Sequence, residues 1–591
     1  MNPQTRNLGR YLTYQLHASV IMLVKRASPR ASHRISQRIS SHLYLPKCCS
    51  CFLVRSSKTT DAMTRADEEN TGVRAAETSR DSSVDVEKLG RQRPEVFKSI
   101  WAELGFGFSV FCSMLLAEFF VSGFHVILPP LAKELEIPSA SQTWPSSVFS
   151  LITGAMLLPM GRLGDMYGGY LVFNGGLIWF FLWALIAGFS KNYMMLIFCR
   201  ALQGFGPAAY LPGGVMLMGK YYRPGPRKNL VFALYGGFAP VGFFLGIFIG
   251  GLSAEFLNWR WYFWIGTVIF AVVCGVSLVT VPFDYRDRKV DIPMDWWGVG
   301  TIVPGLLLIV YALTDSSHSP NGWATPYIIV TLVLGVMFLI GAWYVETHKA
   351  RVPLLPADLF APKGMKRFLA VLFMAFGTFG LFLFYSSFYM ELVLHRSPLI
   401  TAVWYIPMCV GGLIIGTVGG FTLHFLPGRM LLFISSMANA ICMLLFALMP
   451  EDPNYWAWVF PSMVCCTLGI DITFTVSNIF LTTNMPSHRQ GLAGALINSV
   501  LFLGISFFLG IADIAVAETS DLGLRKSYKV AFWLAFSVAC VPLLFIPFIN
   551  IGSAKSDLTM EERQRLENPQ RSTEESETER ETGPLPQEPK N

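Results

Sequence analysis

Charged residues are scarce in this chain. Asp, Glu, Lys and Arg make up 14% of the 591 residues, whereas a soluble domain carries about 25%. Hydrophobic residues make up 53%, and the mean hydropathy is +0.46. This balance excludes an ordinary soluble protein and predicts a polytopic membrane protein. The net charge of +7 does not indicate a nucleic-acid partner, because the basic residues are dispersed among short loops between apolar runs.

The sequence also lacks clusters of metal-ligating side chains. Its 9 histidines are scattered, and its 11 cysteines lie mostly in apolar runs or in the tail at Cys48, Cys49 and Cys51. None of these positions has the spacing of a metal site or of an extracellular disulfide framework. A membrane-embedded enzyme would need such ligands at one depth. We therefore predict no enzymatic activity, no cofactor and no metal, with the cysteines as reduced thiols.

The N-terminal stretch lacks acidic residues before Asp61 and is rich in Arg and Ser. Mitochondrial transit peptides share this composition, and so would an upstream extension of a cytosolic tail, so both interpretations of residues 1–60 stay open. Residues 1–100 contain no apolar run long enough to cross a bilayer. Residues 552–591 are rich in Glu, Ser and Pro. We predict a disordered cytoplasmic tail at each end.

Fourteen apolar segments between the tails are each long enough for a membrane-spanning helix. They cover approximately residues 106–128, 144–162, 169–189, 193–214, 230–252, 261–281, 296–314, 325–345, 368–390, 400–421, 430–449, 456–481, 491–516 and 529–551. An even number places both termini on the same side. The loops on that side hold 15 basic residues against 7 in the opposite loops, which predicts cytoplasmic termini.

Two charged connections divide these segments, one from Pro282 to Asp295 and a Pro-rich, basic one from about residue 346 to 367. They set segments seven and eight apart as a pair inserted between two sets of six, which is typical of a duplicated transporter. The predicted organisation is an N-terminal tail (1–100), a first six-helix half (101–282), a linker with two inserted helices (283–350), a second six-helix half (351–551) and an acidic tail (552–591).

Three charged residues, Glu118, Arg200 and Asp471, lie near the middle of apolar segments. A charge at that depth costs on the order of 3 kcal/mol on insertion scales, so we expect each to have a function. The structural alternatives are a pairing with another helix for Glu118 and a polar clamp to a neighbouring helix for Asp471.

Further polar residues follow each of the two carboxylates, Glu118 and Asp471, at regular spacing along the helix. Ser122 and His125 follow Glu118 at i+4 and i+7, and Thr475 and Asn478 follow Asp471 with the same spacing. Each trio therefore lies on one helix face. His125, near the outer membrane boundary, is interpreted either as a proton relay or as a structural histidine.

Three glycine-containing motifs occur in the first half. GRLGDMYGG, Gly161 to Gly169, follows the second segment; LIFCRALQGFGPAA in the fourth contains Arg200, Gln203 and Gly204. In the fifth segment, glycines recur every four residues and form one small face suited to close helix packing. They are Gly242, Gly246 and Gly250.

These motifs resemble the signatures of the major facilitator superfamily, specifically its fourteen-span drug:proton antiporter branch. The segment from Gly469 to Ser499 is similar to the fungal aminotriazole-resistance and boron-efflux-like group. The resemblance implies an all-α fold of two six-helix halves plus two inserted helices, with segments one, four, nine and twelve lining a central cavity. It also implies a conformational switch built from Gly161, Asp165, Gly168, Gln203, Gly204, Gly242, Gly246 and Gly250.

We place proton coupling on Glu118, Arg200, Asp471 and His125. The predicted substrate cavity contains Ser122, Tyr385, Ser386, Tyr389, Thr475 and Asn478. For the two tyrosines and the serine between them, packing within the ninth helix is the alternative.

The resulting hypothesis is a proton-coupled exporter of a small organic molecule, drug or metabolite that works by alternating access. Its partners would be the substrate, protons and the lipid bilayer, and the chain would act as a monomer. Boric acid and an aminotriazole-like compound are candidate substrates from the subgroup resemblance alone. An importer of the same fold and a non-transporting sensor are the alternatives. We expect the plasma membrane, with a vacuolar or other internal membrane as the alternative.

Overall fold

The computed structural model describes residues 92–223, 226–283, 294–317, 319, 321–350, 352–360, 364–422, 426–484 and 490–549. These residues form helices joined by short turns and contain no strand. Of the predicted N-terminal tail (1–100), residues 1–91 lie outside the described residues, as does the whole acidic tail.

The long helices follow the predicted apolar segments. They are α1 (Ile100–Glu134), α2 (Trp144–Tyr167), α3 (Gly169–Ala187), α4 (Tyr193–Tyr221), α5 (Pro226–Phe256), α6 (Trp259–Thr280), α7 (Trp296–Ser316), α8 (Pro326–Tyr344), α9 (Met365–Phe388), α10 (Pro398–Trp404 and Ile406–Thr422, interrupted at Tyr405), α11 (Gly428–Leu448), α12 (Phe460–Asn484), α13 (Gln490–Glu518) and α14 (Leu524–Phe545).

Within the described part of the chain, thirteen of these helices are long and apolar enough to cross a bilayer. The remaining helix is α4, which has 29 residues but contains Arg200, Gln203 and Lys220, and these lower its mean hydropathy. The prediction of an all-α polytopic membrane protein is confirmed. The number of fourteen crossings is consistent with this helix set and stays a prediction.

Side-chain caps fix where several of these helices begin. Ser99 accepts a hydrogen bond from the backbone N–H of Ala102, Asn192 from that of Met195, and Asp295 from that of Gly298. Each cap satisfies one of the amide groups that a first helical turn leaves without a partner. The polar residues between the apolar segments therefore set the helix boundaries.

The helices form two bundles. In the first bundle (α1–α6), α1 packs against α5 and α6, and α4 packs against α2 and α3; in the second bundle (α9–α14), α9 packs against α13 and α14, and α11 against α12 and α14. We call the side at which α1 begins proximal and the side at which it ends distal. The inserted helices α7 and α8 pack against each other, and α7 also contacts α2 and α13.

The glycines of α5 allow its backbone to touch that of α1. A Cβ atom at Gly242 would lie 2.1 Å from the carbonyl oxygen of Leu115, and one at Gly246 would lie 2.4 Å from that of Phe119. At Gly250, the corresponding distance to the carbonyl oxygen of Gly123 is 2.9 Å. The four-residue spacing thus places three glycines on the face that meets α1. The helices approach so closely there that no larger residue fits.

The two bundles meet in their middle and distal parts. Near the distal end of α2, the hydroxyl groups of Ser147 and Ser506 on α13 are 2.8 Å apart, and the Ser506 hydroxyl also donates to the Ser147 carbonyl at 3.0 Å. Near the distal end of α5, a Cβ atom at Gly251 would lie 2.7 Å from the Cβ of Ala402 on α10. These contacts close the junction on the distal side.

The proximal parts of the same helices are more open. Among the described residues, Cβ atoms placed at Gly236 and Gly237 on α5, Gly416 on α10 or Gly494 on α13 would meet no heavy atom within 4 Å. Around the two α5 glycines, residues 233, 234, 236 and 237 are all exposed. We infer that this conformation is closed distally and opens between the bundles toward the proximal side.

Candidate functional site

Two carboxylates lie near the junction of the bundles. Glu118 of α1 and Asp471 of α12 are both half-buried and close enough to interact electrostatically. The Oδ2 atom of Asp471 lies 3.3 Å from the Thr467 hydroxyl, which is also 2.6 Å from the Met408 carbonyl of α10. A Cβ atom at Gly412 of α10 would lie 3.2 Å from that oxygen and 3.7 Å from Pro240 of α5. The carboxylates therefore lie where helices of both bundles converge.

No basic side chain neutralises these two carboxylates among the residues that the structure describes. The ion pairs that the described residues form include Arg162–Asp165, Arg227–Glu103, Arg260–Glu134 and Arg525–Glu451, none of which involves Glu118 or Asp471. Tyr210 of α4 and Tyr235 of α5 are within electrostatic range of Glu118. Two like charges without a counter-ion repel each other and are poorly solvated at this depth. Binding a proton or a cation would relieve both costs.

Glu118 lies where the accessible part of α1 ends. Phe111, Leu115 and Glu118 are partly exposed and share one face of the helix, whereas residues 119–129 are all buried. Because α1 begins on the proximal side, solvent reaches this face from the proximal side only as far as Glu118. The carboxylate is therefore at the closed end of the opening between the bundles.

Arg200 is enclosed within the first bundle and is only 1% exposed. Its guanidinium lies between the rings of Phe124 and Phe149, 4.0 and 4.1 Å from their centroids. Nε donates to the carbonyl oxygen of Pro145 at 3.2 Å, and one terminal nitrogen donates to Oε1 of Gln203 at 2.9 Å. Two aromatic faces and two neutral oxygens stabilise the cation. In this conformation Arg200 forms no ion pair with Glu118 or Asp471 and therefore does not stabilise either carboxylate directly.

Replacing Arg200 by alanine is expected to destabilise the first bundle by about 3 kcal/mol or more, as for other breaks in a buried polar contact. The change leaves the buried Gln203 oxygen without its donor, removes the side-chain donor to the Pro145 carbonyl, and opens a gap between two phenylalanine rings. Thermal unfolding of the purified protein in detergent measures this effect. Lys191→Ala removes an exposed cation just before the same helix and should leave the unfolding temperature unchanged. Equal unfolding temperatures for the two variants would contradict the packing role.

The other two members of the Glu118 face have different neighbours. The Ser122 hydroxyl is buried and lies 2.8 Å from the carbonyl oxygen of Phe243 on α5 and 2.9 Å from that of Glu118. His125 is 5% exposed, and its ring meets that of Phe384 on α9 edge-to-face at 6.3 Å. Ser122 thus joins α1 to α5, and His125 lies at the distal contact between the bundles.

The predicted cavity residues of the second bundle divide into two groups. Thr475 and Asn478 of α12 are half-buried, and the Asn478 amide donates to the carbonyl oxygen of Phe474 at 2.9 Å. In contrast, Tyr385, Ser386 and Tyr389 are at most 2% exposed. In this conformation α12 offers polar groups at an accessible position, whereas these three residues are enclosed.

Packing inside the second bundle explains the enclosure. Tyr385 meets Tyr528 of α14 at 5.7 Å between ring centroids, and Tyr389 meets Phe446 of α11 at 6.3 Å. The Ser386 hydroxyl hydrogen-bonds that of Tyr405, the residue that interrupts α10. Contact of these side chains with a substrate stays a prediction for another conformation.

The predicted switch motif after α2 forms a tight turn. Gly168 has a φ of 95°, a backbone conformation that glycine adopts without steric cost. Asp165 is exposed and lies 3.9 Å from Arg162 on the same helix. A Cβ atom at Gly161 would lie 3.6 Å from Pro212 of α4, and Gly204 packs against the backbone of α2. These residues thus connect α2 to its neighbours within the first bundle.

The sequence did not reveal a charged cluster at the proximal end of the first bundle. Arg227 of α5 donates to both carboxylate oxygens of Glu103 on α1, at 2.8 and 2.5 Å, and the Tyr222 hydroxyl donates to the same carboxylate at 3.1 Å. Burial and the adjacent carboxylate raise the pKa of Tyr222 above its ordinary value, so the phenol stays a donor. Partners more than 100 residues apart leave no spacing signal in a single sequence.

Comparison with known proteins agrees with this architecture. The family model described as Major Facilitator Superfamily matches residues 110–509, which include both carboxylates and Arg200. The chain belongs to the major facilitator superfamily. The fold and the family predicted from the sequence are confirmed.

Similar members of the superfamily are fungal transporters. "Efflux pump terJ" of Aspergillus terreus is 30% identical over 489 residues, covering 81% of this chain and 93% of that protein. The "Low affinity ammonium transporter" of Saccharomyces cerevisiae is 34% identical over 408 residues, covering 67% and 78%. The "Aminotriazole resistance protein" of the same yeast is 30% identical over 460 residues, covering 76% and 84%. This major facilitator protein is therefore a membrane transporter.

A solved structure shares the fold. The crystal structure of an auto-inhibited POT family peptide transporter aligns with a TM-score of 0.57 at 16% identity, covering 77% of this chain and 99% of that chain. At this identity the similarity concerns the arrangement of helices only.

Proposed function

We propose that this major facilitator protein is a proton-coupled exporter of a small organic molecule, drug or metabolite. The observation that supports the proposal most directly is the Glu118–Asp471 pair. Two half-buried carboxylates from different bundles lie within electrostatic range, without a basic partner in the described part of the chain. Such a pair responds to protonation at the place where the bundles must move past each other.

The coupling step follows from the energetics of the carboxylates. Protonation of Glu118 or Asp471 removes one of two like charges, which lowers the free energy of the conformation that holds them close together. Loss of that proton restores the repulsion and favours separation of the bundles. A substrate that binds better to one of these states then moves with the proton gradient. In this scheme the proton gradient is the only energy source, and no cofactor takes part.

Arg200, Gln203 and His125 support the scheme from within the first bundle. Arg200 of α4 contacts Phe124 of α1 and Pro145 of α2, and Gln203 on its own helix accepts a further hydrogen bond from it. His125 contacts α9 near this cluster. We propose that the cluster keeps Glu118 in position as the bundles rock.

Export is favoured over import by the names of the relatives. Two of the fungal relatives are named for efflux or for resistance to a toxic compound. The name of the yeast ammonium transporter leaves its direction unspecified, so an importer of a small nutrient is the second candidate function. We place the protein in the plasma membrane as a monomer with cytoplasmic termini, which would make the proximal side cytoplasmic.

Transport by membrane vesicles tests the proposal. Vesicles from cells that express the protein are prepared inside-out and right-side-out, and aminotriazole, boric acid and ammonium are offered under an imposed pH gradient. An exporter accumulates its substrate in inside-out vesicles, and dissipating the gradient abolishes accumulation. Gradient-driven accumulation only in right-side-out vesicles would establish import instead, and binding without flux would indicate a sensor.

Removing the serine contact at the distal junction is expected to favour distal opening. Ser147→Ala together with Ser506→Ala deletes a reciprocal pair of hydrogen bonds between the bundles. A buried neutral hydrogen bond contributes about 1 kcal/mol, so loss of the two corresponds to roughly a 30-fold change in the population of the open state. The readout is the rate at which a membrane-impermeant thiol reagent modifies Ser150→Cys from the distal side. Ser150 is buried on the same face of α2.

Ser113→Ala is the matched control, because the Ser113 hydroxyl donates only to the Val110 carbonyl within α1. It should leave the modification rate unchanged. An equal rate in the control and the double variant would show that the serine pair does not hold the junction closed.

A further inference from the structure

Helix α7, the first of the inserted pair, contacts both bundles. Its Tyr311 ring lies 5.5 Å from the ring of Trp144 on α2, between centroids. One turn further along α7, Thr314 lies beside Gly510 of α13. Helix α7 therefore covers the place where α2 and α13 meet, next to the contact between Ser147 and Ser506.

Alternating access, which the proposed function requires and on which this inference rests, limits the contacts that α7 can keep. If the central site opens to the distal side, the two bundles must separate there, and α2 moves away from α13. A helix that contacts both cannot keep both contacts. The inserted pair must travel with one bundle and release the other.

The contact with α13 is the closer of the two. A Cβ atom at Gly510 would lie 2.9 Å from Oγ1 of Thr314 and 3.4 Å from Cβ of Leu313, so the two helices approach at backbone distance. Thr314 is fully buried. Backbone-level packing of this kind depends on close approach of the two helices, so a relative movement between them weakens it.

The contact with α2 includes a pair of long side chains at its distal end. Tyr311 is 38% exposed and Trp144 is half-buried, and their rings are tilted by 44° rather than stacked. Aromatic rings at a partly exposed contact can separate by changing rotamer without disturbing either backbone. This contact is the easier one to release.

The proximal end of the inserted pair is also attached toward the second bundle. In the turn after α8, the Glu346 carboxylate accepts hydrogen bonds from the backbone N–H groups of Leu354 and Leu355, both at 3.2 Å. That segment leads into α9, and its residues Leu354 and Leu359 are buried. The pair thus contacts the second bundle at the distal end through α13, and at the proximal end it is bonded to a segment whose last turn, Ala357–Phe360, contacts α9.

We propose that α7 and α8 move as part of the second bundle, and that the Tyr311–Trp144 contact is a releasable latch that holds the distal side closed. The latch forms when the distal junction closes and breaks each time the central site opens distally. The inserted helices then act on the conformational cycle itself, beyond their contact with lipid.

Reversible cross-linking tests which contact must break. Trp144→Cys with Tyr311→Cys is linked by a short bifunctional methanethiosulfonate, in a background whose other accessible cysteines are replaced. We expect linking to abolish flux in vesicles and reduction of the linker to restore it. Each single cysteine variant treated in the same way should retain its flux.

One matched pair joins the inserted helices to the second bundle, and another joins them to the segment that leads into α9. Thr314→Cys with Gly510→Cys probes the distal end, and Glu346→Cys with Leu355→Cys probes the proximal end. The second pair keeps the test available if Gly510→Cys does not fold. Linking either pair should leave flux intact. Arrest by these pairs together with normal flux in the linked Trp144–Tyr311 pair would show that the insert moves with the first bundle and would overturn the proposal.

Distances between spin labels test the proposed latch independently of transport. Labels at Trp144→Cys and Tyr311→Cys should move apart when Ser147→Ala and Ser506→Ala favour distal opening. Labels at Glu346→Cys and Leu355→Cys should keep their distance. If the protein transports no substrate, the proposed function is wrong. The label distances still show whether the Tyr311–Trp144 contact breaks when the distal side opens. Unchanged separation of Trp144 and Tyr311 in a distally open population would exclude the latch.

Discussion

Replacing Gly246 by valine should prevent α1 and α5 from packing and sharply lower the yield of folded protein. A Cβ atom at this position would lie 2.4 Å from the carbonyl oxygen of Phe119 and 2.8 Å from its Cα. These are backbone atoms in the middle of a helix, so the clash cannot be relieved by a change of rotamer. Overpacking by side chains costs about 1–3 kcal/mol, and we expect at least the upper end here. Size-exclusion profiles and thermal unfolding in detergent measure the loss.

The same helix provides the control. A Cβ atom at Gly237 would meet no heavy atom within 4 Å, so Gly237→Val makes the same chemical change at an open position of α5. Both substitutions alter helix propensity equally, and any difference between them reports the contact with α1. A folded Gly246→Val protein with the unfolding temperature of Gly237→Val would contradict the backbone contact.

These glycines show what a single sequence can reveal about the fold. Gly242, Gly246 and Gly250 recur with the helical period, so they predict a small face, and the structure places that face against α1. The sequence could not identify α1 as the partner, because pairing of helices leaves no period within either one. The helix boundaries were predictable for the same local reason, since apolar length and polar caps lie next to each other in the chain.

The candidate site was predictable only in part. Glu118, Arg200 and Asp471 stand out because a charge in an apolar segment is costly. Cost alone does not reveal neighbours: Arg200 is held between Phe124 and Phe149, away from any carboxylate ion pair in the described residues. The hydroxyl pair of Ser147 and Ser506 gave no signal, since serine is common in membrane helices and its partner is 359 residues away.

Glu118→Gln and Asp471→Asn should each lower proton-driven flux by about tenfold or more, equivalent to at least about 1.4 kcal/mol in the barrier. Each variant keeps the shape of its side chain but cannot exchange a proton or contribute a negative charge. The like-charge repulsion that distinguishes the two conformations is then lost, and the proton gradient can no longer bias them. The measurement is substrate accumulation in vesicles as a function of the imposed pH difference.

Counterflow separates loss of coupling from loss of the site. Exchange of labelled for unlabelled substrate without a pH gradient needs the bundles to rock with substrate bound and needs no net proton movement, so we expect both variants to retain it. Glu95→Gln and Asp452→Asn neutralise exposed carboxylates and should leave both assays unchanged. Glu118→Asp restores a titratable group and should recover part of the proton-driven flux. Full gradient-driven accumulation by Glu118→Gln and Asp471→Asn would show that proton coupling does not depend on this carboxylate pair and resides elsewhere.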